Sequence, residues 1–303
     1  METKLVMKKE ITIGSRESRL AVIQSEQVQA WIQKAHPELS VQILTMKTTG
    51  DIILNQALEK VGGKGLFVKE LDRALVDGRS DLSVHSLKDV PMELPKELPL
   101  LAFSHREDPR DVLVLPEGVS EIDFSKPIGC SSKRRMLQFA RLYPQATFAT
   151  IRGNVQTRLR RLDEGEFSAT LLAAAGLKRL GLTHRISRYF SEEEMIPAAG
   201  QGILAVQGRA GEDTGFLADF NDPVAEACAC AERSFVRHLD GGCSDPIAAH
   251  AIPDVGHGTL RLLGFFHDEK SGSTFREEET GSIEQAEALG AAVAGRILAA
   301  CRG

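Results

Sequence analysis

The stretch that decides the fold is ITIGSRESRLAVIQSEQVQAWIQKAHPELSVQILTM, residues 11–46. ITIGS (11–15) and VQILTM (41–46) are short apolar runs typical of strands. Between them apolar side chains recur at helical spacing until Pro37 ends the pattern. The side chains of that stripe are Leu20, Val28, Trp31, Ile32 and Ala35. A strand, a helix and a second strand in this order predict a βαβ unit with parallel strands.

The same alternation continues along the chain and predicts further α/β units. The predicted strands are DLSVHS (81–86), LLAFS (100–104), DVLVL (111–115), KPIGC (126–130), TFATI (147–151) and the start of SATLLAAAGLKRLG (168–181). The predicted helices are FVKELDRALVDG (67–78), SSKRRMLQFARLYP (131–144), NVQTRLRRLDEG (154–165) and the end of 168–181. PMELPKELP (91–99) is a proline-rich surface connection.

The C-terminal part of the chain has a different pattern. A helix is predicted from Asp222 to His238, since Pro223 and Glu226 suit its first turn. Turn-separated runs over residues 251–280 predict strands, and SIEQAEALGAAVAGRILAAC predicts a closing helix. This order indicates an α+β domain with an antiparallel sheet.

Composition disfavours several classes of protein. The chain has 303 residues, a net charge of −5 and a pI of about 6.0, whereas domains that bind nucleic acid in general are usually basic. METKLVMKKEITIGS lacks the apolar core of a signal peptide, and no uncharged run approaches the roughly 18 residues of a membrane helix. The 5 cysteines are too few for a disulfide scaffold. We expect a cytoplasmic protein with no nucleic-acid partner, no membrane association and no metal.

Arginines occur where a helix N-terminus makes a cation unfavourable. Ser131 or Ser132 is a good N-cap, which places Arg134 and Arg135 in a first helical turn. Each exposed cation there costs about 0.3–1 kcal/mol. The other arginines at or near strand–helix junctions are Arg16 (with Ser18), Arg152, Arg158 and Arg179. For any one of them a solvated surface position is the commoner explanation, but several together favour a cleft for a ligand with many negative charges.

A carboxylate lies beside a lysine in VHSLKDVP, where Lys88 and Asp89 follow a predicted strand. Such a carboxylate is suited to general acid–base catalysis or to the stabilisation of positive charge on a substrate. The alternative is a surface ion pair worth about 0–1 kcal/mol, or a turn-forming aspartate.

VGGKGLF (61–67) lacks the spacing of a phosphate-binding loop and fits a hinge or lid better, with TTGDIILNQALEK as the moving segment.

Cys243 follows two glycines in HLDGGCSDPIAAH. Metal ligation is disfavoured because no CxxC or HxxH pair occurs, and Cys228 and Cys230 are two apart on a predicted helix and point in different directions. A disulfide is disfavoured in a reducing compartment. A cysteine hydrolase would need a histidine beside the thiol, and the sequence alone does not place His250 there. Two interpretations stay open: an inert buried thiol, or a thiol on a loop that a sizeable group can approach.

The chain carries a set of motifs that closely resembles the porphobilinogen deaminase family, from about Ile13 to the closing helix. The motifs, in the family's order, are GSRESRLA, VGGKGLFVKELD, VHSLKDVP, REDPRDV, SSKRR, IRGNVQTRL, LAAAGLKRLG, PAAGQG and GGCSDP. The resemblance implies two α/β domains with the two-lobed topology of periplasmic binding proteins and a double crossover. It also implies a small C-terminal α+β domain with a three-stranded antiparallel sheet. The implied domains are residues 1–104 with 203–221, 105–202, and 222–303.

The resemblance further implies a reaction and a cofactor. The family condenses four porphobilinogen molecules head to tail on a covalently bound dipyrromethane, releasing ammonia and then linear hydroxymethylbilane. Here Cys243 would carry the cofactor through a thioether, and Asp89 would be the catalytic acid that stabilises positive charge on the substrate. A monomer is implied as well. The competing hypothesis, a non-catalytic two-lobed anion-binding protein, gives neither Cys243 nor Asp89 a role.

Other roles follow from the resemblance position by position. The implied cofactor-binding residues are Ser86, Lys88, Ser131, Ser132, Arg134, Arg135, Arg152 and Gly153. The implied substrate-binding residues are Arg16, Ser18, Phe67, Arg158, Arg179 and Gln201. The implied lid loop contains Thr48, Asp51, Lys60 and Lys64. The chain departs from the commoner pattern at Cys130, Lys133, Gln207–Gly208, Asp240 and Asp245, and the carboxylate of Asp245 is expected to disfavour the Cys243 thiolate and slow cofactor attachment.

Overall fold

The computed structural model describes residues 10–49, 68–241 and 245–302. The chain forms two compact units, Met1–His105 with Ile203–Glu226, and Arg106–Gly202 with Ala227–Gly303. The predicted second and third domains fall largely within the second unit, and the division into three domains stays a prediction. In the described ranges every helix is too short or too polar to cross a membrane.

The described part of the first unit contains a five-stranded sheet. Its strands are β1 (Glu10–Arg16), β2 (Ser40–Met46), β3 (Leu82–Ser86), β4 (Leu100–Phe103) and β10 (Leu204–Gly208), in the order β2-β1-β3-β10-β4. Its α-helices are α1 (Arg19–Ala35) and α2 (Lys69–Val76). β1 is parallel to β2 and β3, as the βαβ prediction requires, whereas β10 is antiparallel to β3 and β4.

Helix α1 buries most of the face that its apolar spacing predicts. Val28 and Ile32 are fully buried in the core beneath the sheet. The predicted stripe is wrong at its C-terminal end, because Ala35 is exposed. A polar residue, Gln24, is buried in the same helix. Its burial is tolerated because its Nε2 donates a hydrogen bond to Ser86 Oγ at 2.8 Å, which keeps the amide satisfied.

The second unit contains a five-stranded sheet of the same topology. Its strands are β5 (Asp111–Val114), β6 (Ile128–Gly129), β7 (Phe148–Ala149), β8 (Ala169–Ala173) and β9 (Arg188–Tyr189), in the order β7-β6-β8-β5-β9. Its helices include α3 (Lys133–Leu142), α4 (Val155–Asp163) and α5 (Ala174–Arg179). β6 is parallel to β7 and β8, and β5 is antiparallel to β8 and β9.

Strand β5 shows that this second sheet is covered on both faces. Val112 and Val114 belong to one apolar cluster, whereas Leu113, which lies between them, belongs to another. Alternate residues of a strand point to opposite faces, so the two clusters lie on opposite sides of the sheet. This explains why the strand is a continuous apolar run rather than an alternating one.

The chain passes from one sheet to the other twice. After β4 it enters the second sheet with β5, and after β9 it returns to the first with β10. The double crossover is therefore confirmed. The strand with which the chain enters or re-enters a sheet, β5 or β10, is antiparallel to its neighbours in that sheet. Strands β9 and β10 were not predicted, because β9 has only 2 residues and the apolar run of β10 carries no period that separates strand from helix.

The C-terminal part forms a three-stranded antiparallel sheet, as predicted. The elements are α6 (Pro223–His238), β11 (Ile247–Asp254), β12 (Thr259–Asp268), β13 (Ser273–Ser282) and α7 (Ala286–Arg302), with strand order β11-β12-β13. The two helices approach closely at Gly290, where a Cβ would lie 2.3 Å from the Ala231 carbonyl oxygen. A glycine is therefore needed for this contact.

Helix α6 ends in a Schellman motif whose left-handed residue is Asp240. The Gly241 N–H donates to the Val236 carbonyl at 3.1 Å, and the Asp240 N–H donates to the Arg237 carbonyl at 3.0 Å. Asp240 has a φ of 52°, in the region that favours glycine. The segment that leads to Cys243 therefore begins with a strained aspartate.

Replacing this residue with glycine is expected to raise the free energy of unfolding by about 0.5–1 kcal/mol, because glycine adopts the left-handed conformation without steric cost. The matched variant Asp240→Ala is expected to lower it, since alanine keeps the Cβ and loses the polar side chain that helps aspartate in this region. Urea denaturation of both variants measures the difference. A glycine variant less stable than the alanine variant would contradict the assignment of strain to Asp240.

Candidate functional site

Asp89 ends a short 3-10 turn, Leu87–Asp89, that follows β3. Leu87 is fully buried, and its N–H donates to the Ile203 carbonyl at 3.0 Å. Lys88 is half-buried, whereas Asp89 is exposed. The turn therefore holds a solvent-accessible carboxylate at the carboxyl end of a buried strand, which is where open α/β sheets bind ligands.

Other predicted residues lie at the same edge of the first sheet. β1 and β3 are parallel neighbours, so Arg16 at the end of β1 and Ser86 at the end of β3 share that edge. Ser18 follows Arg16 and caps α1, where its Oγ accepts a hydrogen bond from the Ala21 N–H at 3.4 Å. The structure thus brings two cations, hydroxyl groups and the Asp89 carboxylate to one end of the sheet.

The predicted residues of the second unit lie at the equivalent edge of its own sheet. Ser131 and Ser132 follow β6, while Arg152 and Gly153 follow β7, and these strands are parallel neighbours. Ser131 Oγ donates to the Ile151 carbonyl at 2.6 Å. This hydrogen bond joins the two strand–helix junctions, so the N-termini of α3 and α4 lie side by side.

Both junctions carry the helix caps that the sequence predicts. Ser132, rather than Ser131, caps α3, and its Oγ accepts from the Arg135 N–H at 3.4 Å. Asn154 caps α4, and its Oδ1 accepts from the Thr157 N–H at 2.9 Å. Ser132 and Asn154 are therefore the caps, and Ser131 instead links the two strand–helix junctions.

Gly153 cannot be replaced without strain. Its φ is 110°, and a Cβ there would lie 2.7 Å from Thr157 Cγ2. Its carbonyl accepts a hydrogen bond from Arg158 Nε at 2.8 Å. The glycine and the half-buried Arg158 therefore form one local structure at the start of α4.

Arg134 and Arg135 are buried, and both are paired with Asp111. Arg134 Nη1 donates to Asp111 Oδ2 at 2.6 Å, and Arg135 Nε donates to Asp111 Oδ1 at 2.9 Å. Burial alone would raise the pKa of Asp111, but the two guanidinium groups hold it well below its usual range. Sequence reasoning treated these arginines as cations that await a ligand and missed their internal carboxylate.

Gln201 completes the Asp111 cluster. Its side chain is fully buried, and Nε2 donates to the Pro109 carbonyl at 2.6 Å and to Asp111 Oδ1 at 3.1 Å. The amide therefore helps to satisfy a buried carboxylate. Its predicted contact with substrate stays a prediction.

Arg179, at the end of α5, is half-buried and donates from Nη2 to the Gly202 carbonyl at 2.7 Å. Burial lowers the pKa of Arg179 to about 10, and the charge of Glu107 partly opposes this change. The side chain is still a cation at neutral pH, so it keeps the charge that an anionic ligand requires.

Glu232 of α6 is a buried carboxylate that sequence reasoning missed. It is fully buried and accepts hydrogen bonds from Arg106 Nη2 at 2.7 Å, from the Gly200 N–H at 2.6 Å and from the Ala251 N–H at 2.8 Å. His250 Nδ1 lies 3.5 Å from the same carboxylate. These contacts fix α6, the helix that precedes Cys243, and they place His250 in this cluster.

Several predicted site residues lie outside the described residues; they are Asp51, Lys60, Lys64, Phe67 and Cys243. Thr48, from the predicted lid loop, is described and fully buried. The next residue, Thr49, donates from its backbone N–H to Glu70 Oε1 at 3.0 Å, and its Oγ1 lies 2.5 Å from the same oxygen. Asp245, two residues after Cys243, is exposed.

Comparison with known proteins gives matches over most of the chain. The family model "Porphobilinogen deaminase, dipyromethane cofactor binding domain" matches residues 11–216, and "Porphobilinogen deaminase, C-terminal domain" matches residues 226–299. The porphobilinogen deaminase of Acetivibrio thermocellus is 53% identical over 288 residues, which cover 95% of this chain and 98% of that protein. That of Alkaliphilus oremlandii is 55% identical over 280 residues, which cover 92% and 94%.

Among solved structures, the periplasmic VFT2 domain of Bordetella pertussis BvgS superposes with a TM-score of 0.41 at 15% identity. The match covers 69% of this chain and 84% of that domain. A likeness of this degree carries no argument about function.

Proposed function

We propose, because this chain belongs to the porphobilinogen deaminase family, that it condenses four porphobilinogen molecules head to tail into linear hydroxymethylbilane and releases ammonia at each addition. The structural observation that carries the proposal is the exposed Asp89 carboxylate on a turn anchored by the buried Leu87, at the sheet edge that also holds Arg16 and Lys88. Each substrate pyrrole bears an acetate and a propionate. Cations at that edge pair with these carboxylates, and the Asp89 carboxylate stabilises the positive charge that forms when ammonia leaves.

The second unit fits the dipyrromethane cofactor named by the family model. Each ring of this cofactor bears two carboxylates, and the paired N-termini of α3 and α4 offer backbone N–H groups beside the half-buried Arg152 and Arg158. Gly153 keeps this edge free of a side chain at the start of α4. When bound, the cofactor supplies the pyrrole carbon to which substrate is joined.

The proposed cofactor contacts are those that the family resemblance implies. Cys243 holds the cofactor through a thioether. The side chains or backbone groups that bind its polar arms are those of Ser86, Lys88, Ser131, Ser132, Arg134, Arg135, Arg152 and Gly153. Arg134 and Arg135 also share the buried Asp111, so part of their charge is already balanced, and this pairing holds their guanidinium groups in place.

In the proposed mechanism Asp89 acts on the substrate. A carboxylate within hydrogen-bond distance of the pyrrole N–H stabilises the cation that remains after ammonia leaves. The other proposed substrate-binding residues are Ser18, Phe67, Arg158, Arg179 and Gln201, and Thr48, Asp51, Lys60 and Lys64 belong to the proposed lid loop.

The competing function is a non-catalytic protein that binds anions. The cationic sheet edges alone would permit it. It assigns no chemistry to Asp89 or to Cys243, whereas the proposed enzyme uses both.

A measurement of the intact mass of the protein distinguishes these two functions. Protein purified from a host that makes tetrapyrroles is expected to be heavier than its sequence by two linked pyrrole units, and Cys243→Ser is expected to remove that increment. Cys301→Ser is the matched control, because this half-buried thiol lies on α7, and it should keep the increment. A wild-type protein with the bare sequence mass would favour the anion-binding protein.

The remaining assignments are also proposals. We place the enzyme in the cytoplasm as a monomer without nucleic-acid or membrane partners, with three domains at the boundaries given above. The cysteines that the structure describes form no disulfide with one another; they are Cys130, Cys228, Cys230 and Cys301.

A further inference from the structure

A solvent-open cavity of about 520 Å³ lies in the second unit, apart from the strand–helix junctions that hold the predicted site residues. One wall comes from the C-terminal end of α3, and another from the segment between β9 and β10. The third comes from β12 and β13, which are paired there. The volume is within the roughly 300–1,000 Å³ of small-molecule sites in proteins. None of the residues that line the cavity has a role in the proposed reaction.

Two arginines in this cavity bind the same main-chain oxygen. Arg276 of β13 donates from Nη2 to the Glu193 carbonyl at 2.6 Å. Arg141 of α3 donates from Nη2 to the same carbonyl, and to that of Glu194, at 3.4 Å each. The two guanidinium groups are therefore neighbours, although they come from distant parts of the chain.

These two cations have no carboxylate partner among the residues that the structure describes. Each uses one nitrogen to bind carbonyl oxygen, and a guanidinium group has five N–H donors, so most of its donors remain for solvent or a ligand. Burial lowers the pKa of the half-buried Arg276, the charge of Arg141 lowers it further, and the charge of Glu193 partly opposes both effects. An anion placed between the two guanidinium groups would bind both and relieve their repulsion.

The carboxylates that line the cavity are already paired with other arginines. Arg261 Nη2 lies 2.7 Å from Glu193 Oε1, and its Nη1 lies 3.2 Å from Glu278 Oε2. Glu277 Oε2 lies 3.4 Å from Arg296 Nε. These pairs leave the two cavity arginines without a countercharge of their own. They also place carboxylates beside the cavity, so a ligand with many negative charges would be repelled, whereas one with a single negative charge is accepted.

One side of the cavity is apolar. Ile196 and Leu263 line it, and both are buried in a cluster with Ala248 and Phe265. A small apolar body can therefore contact these side chains while its carboxylate binds the arginines.

We infer that this cavity is a second ligand site, which binds a small molecule with one carboxylate on an apolar body. Arg141 and Arg276 bind the carboxylate, and Ile196 and Leu263 contact the body. The site goes beyond the proposed reaction, whose ligands carry several carboxylates. Because a ligand there binds the folded protein and bridges α3 and β13, it is expected to raise the melting temperature of the holoenzyme.

Benzoate is the probe that tests this site, because it has one carboxylate on a flat apolar ring. In a holoenzyme with isotope-labelled methyl groups, the NMR signals of the Ile196 and Leu263 methyl groups are expected to shift and to saturate as benzoate is added. A Kd of about 1 mM is expected for a ligand of this size. Benzamide has the same shape without the charge, and inorganic phosphate has charge without the ring, so each should bind at least about tenfold more weakly.

Arg276→Gln and Arg141→Gln are each expected to raise the Kd for benzoate about tenfold, because each removes one charged donor group. Arg160→Gln is the matched control, since this exposed arginine of α4 pairs with Glu164 at 2.7 Å, and it should leave the Kd unchanged. If Arg276→Gln does not fold, Arg141→Gln decides the result, because Arg141 is exposed at the end of α3.

Three results would overturn the inference. They are methyl signals that do not respond at roughly ten times the expected Kd, benzamide binding as tightly as benzoate, and an unchanged Kd in the folded arginine variants. None of these measurements requires bilane formation, so the failure of this site and the failure of the proposed function are distinguishable.

Discussion

Asp89→Asn is expected to lower kcat for hydroxymethylbilane formation by about 10²–10³-fold while the protein keeps its cofactor mass. The amide has the shape of the carboxylate but no charge, so it cannot stabilise a cation on the substrate. The turn itself should be preserved, because it depends on the buried Leu87 and its backbone hydrogen bond to Ile203. Single-turnover measurement of bilane formation gives the rate, and intact mass gives the cofactor content.

Asp77→Asn is the matched control for this loss. Asp77 is an exposed carboxylate of the same unit, near Arg73 and Arg79 at 3.5 and 3.8 Å. Exposed pairs of this kind contribute little, so activity should stay close to that of the wild type. Near-normal turnover of Asp89→Asn would remove Asp89 from the mechanism. Loss of both turnover and cofactor mass would instead assign the residue to cofactor assembly.

Asp111→Asn is expected to lower the free energy of unfolding by about 3–5 kcal/mol, because it leaves two buried guanidinium groups without their countercharge. Arg134 and Arg135 are both buried and both bind this carboxylate. The remaining amide can still accept hydrogen bonds, but it also brings two N–H donors close to existing donors. Urea denaturation of the holoenzyme measures the loss.

Acid is expected to lower the free energy of unfolding of the wild-type protein, because it protonates Asp111. The pKa of Asp111 is lower in the folded chain than in the unfolded chain, so its contribution is complete above the unfolded value of about 4. That contribution is lost as the pH falls toward the folded value. Asp111→Asn should therefore flatten the decline in stability below about pH 4. Asp219→Asn, at an exposed position of the first unit, is the control and should leave the curve unchanged. Equal slopes for Asp111→Asn and wild type would contradict this account.

The elements of the fold were largely predictable because they depend on local pattern. The strand, helix and strand of residues 11–46 appear as β1, α1 and β2, and the turn-separated C-terminal runs form an antiparallel sheet. Strand β10 was not predictable. It forms between β3 and β4 by antiparallel pairing, and nothing within its 5 residues records those partners.

The site was predictable in part for the same reason. Ser132, Asn154 and Asp89 could be placed because caps and strand ends are local features. The partner of Arg134 could not, because Asp111 lies 23 residues earlier in the chain. The bond between His85 and Gln207 spans 122 residues and had no local signal either.

By itself the sequence determined most of the segments that become strands and helices, and it placed Ser131, Arg152 and Asp89 just after strands. Hydrophobic period, capping and turn chemistry act over a few neighbouring residues, so one stretch of chain contains all that they require. Only the tertiary structure decided which charges are already balanced inside the protein, at Asp111 and Glu232, and which carboxylate stays open to a ligand, at Asp89. Loss of water and ion pairing determine that difference, and both depend on segments that are distant in the chain and meet only when it folds.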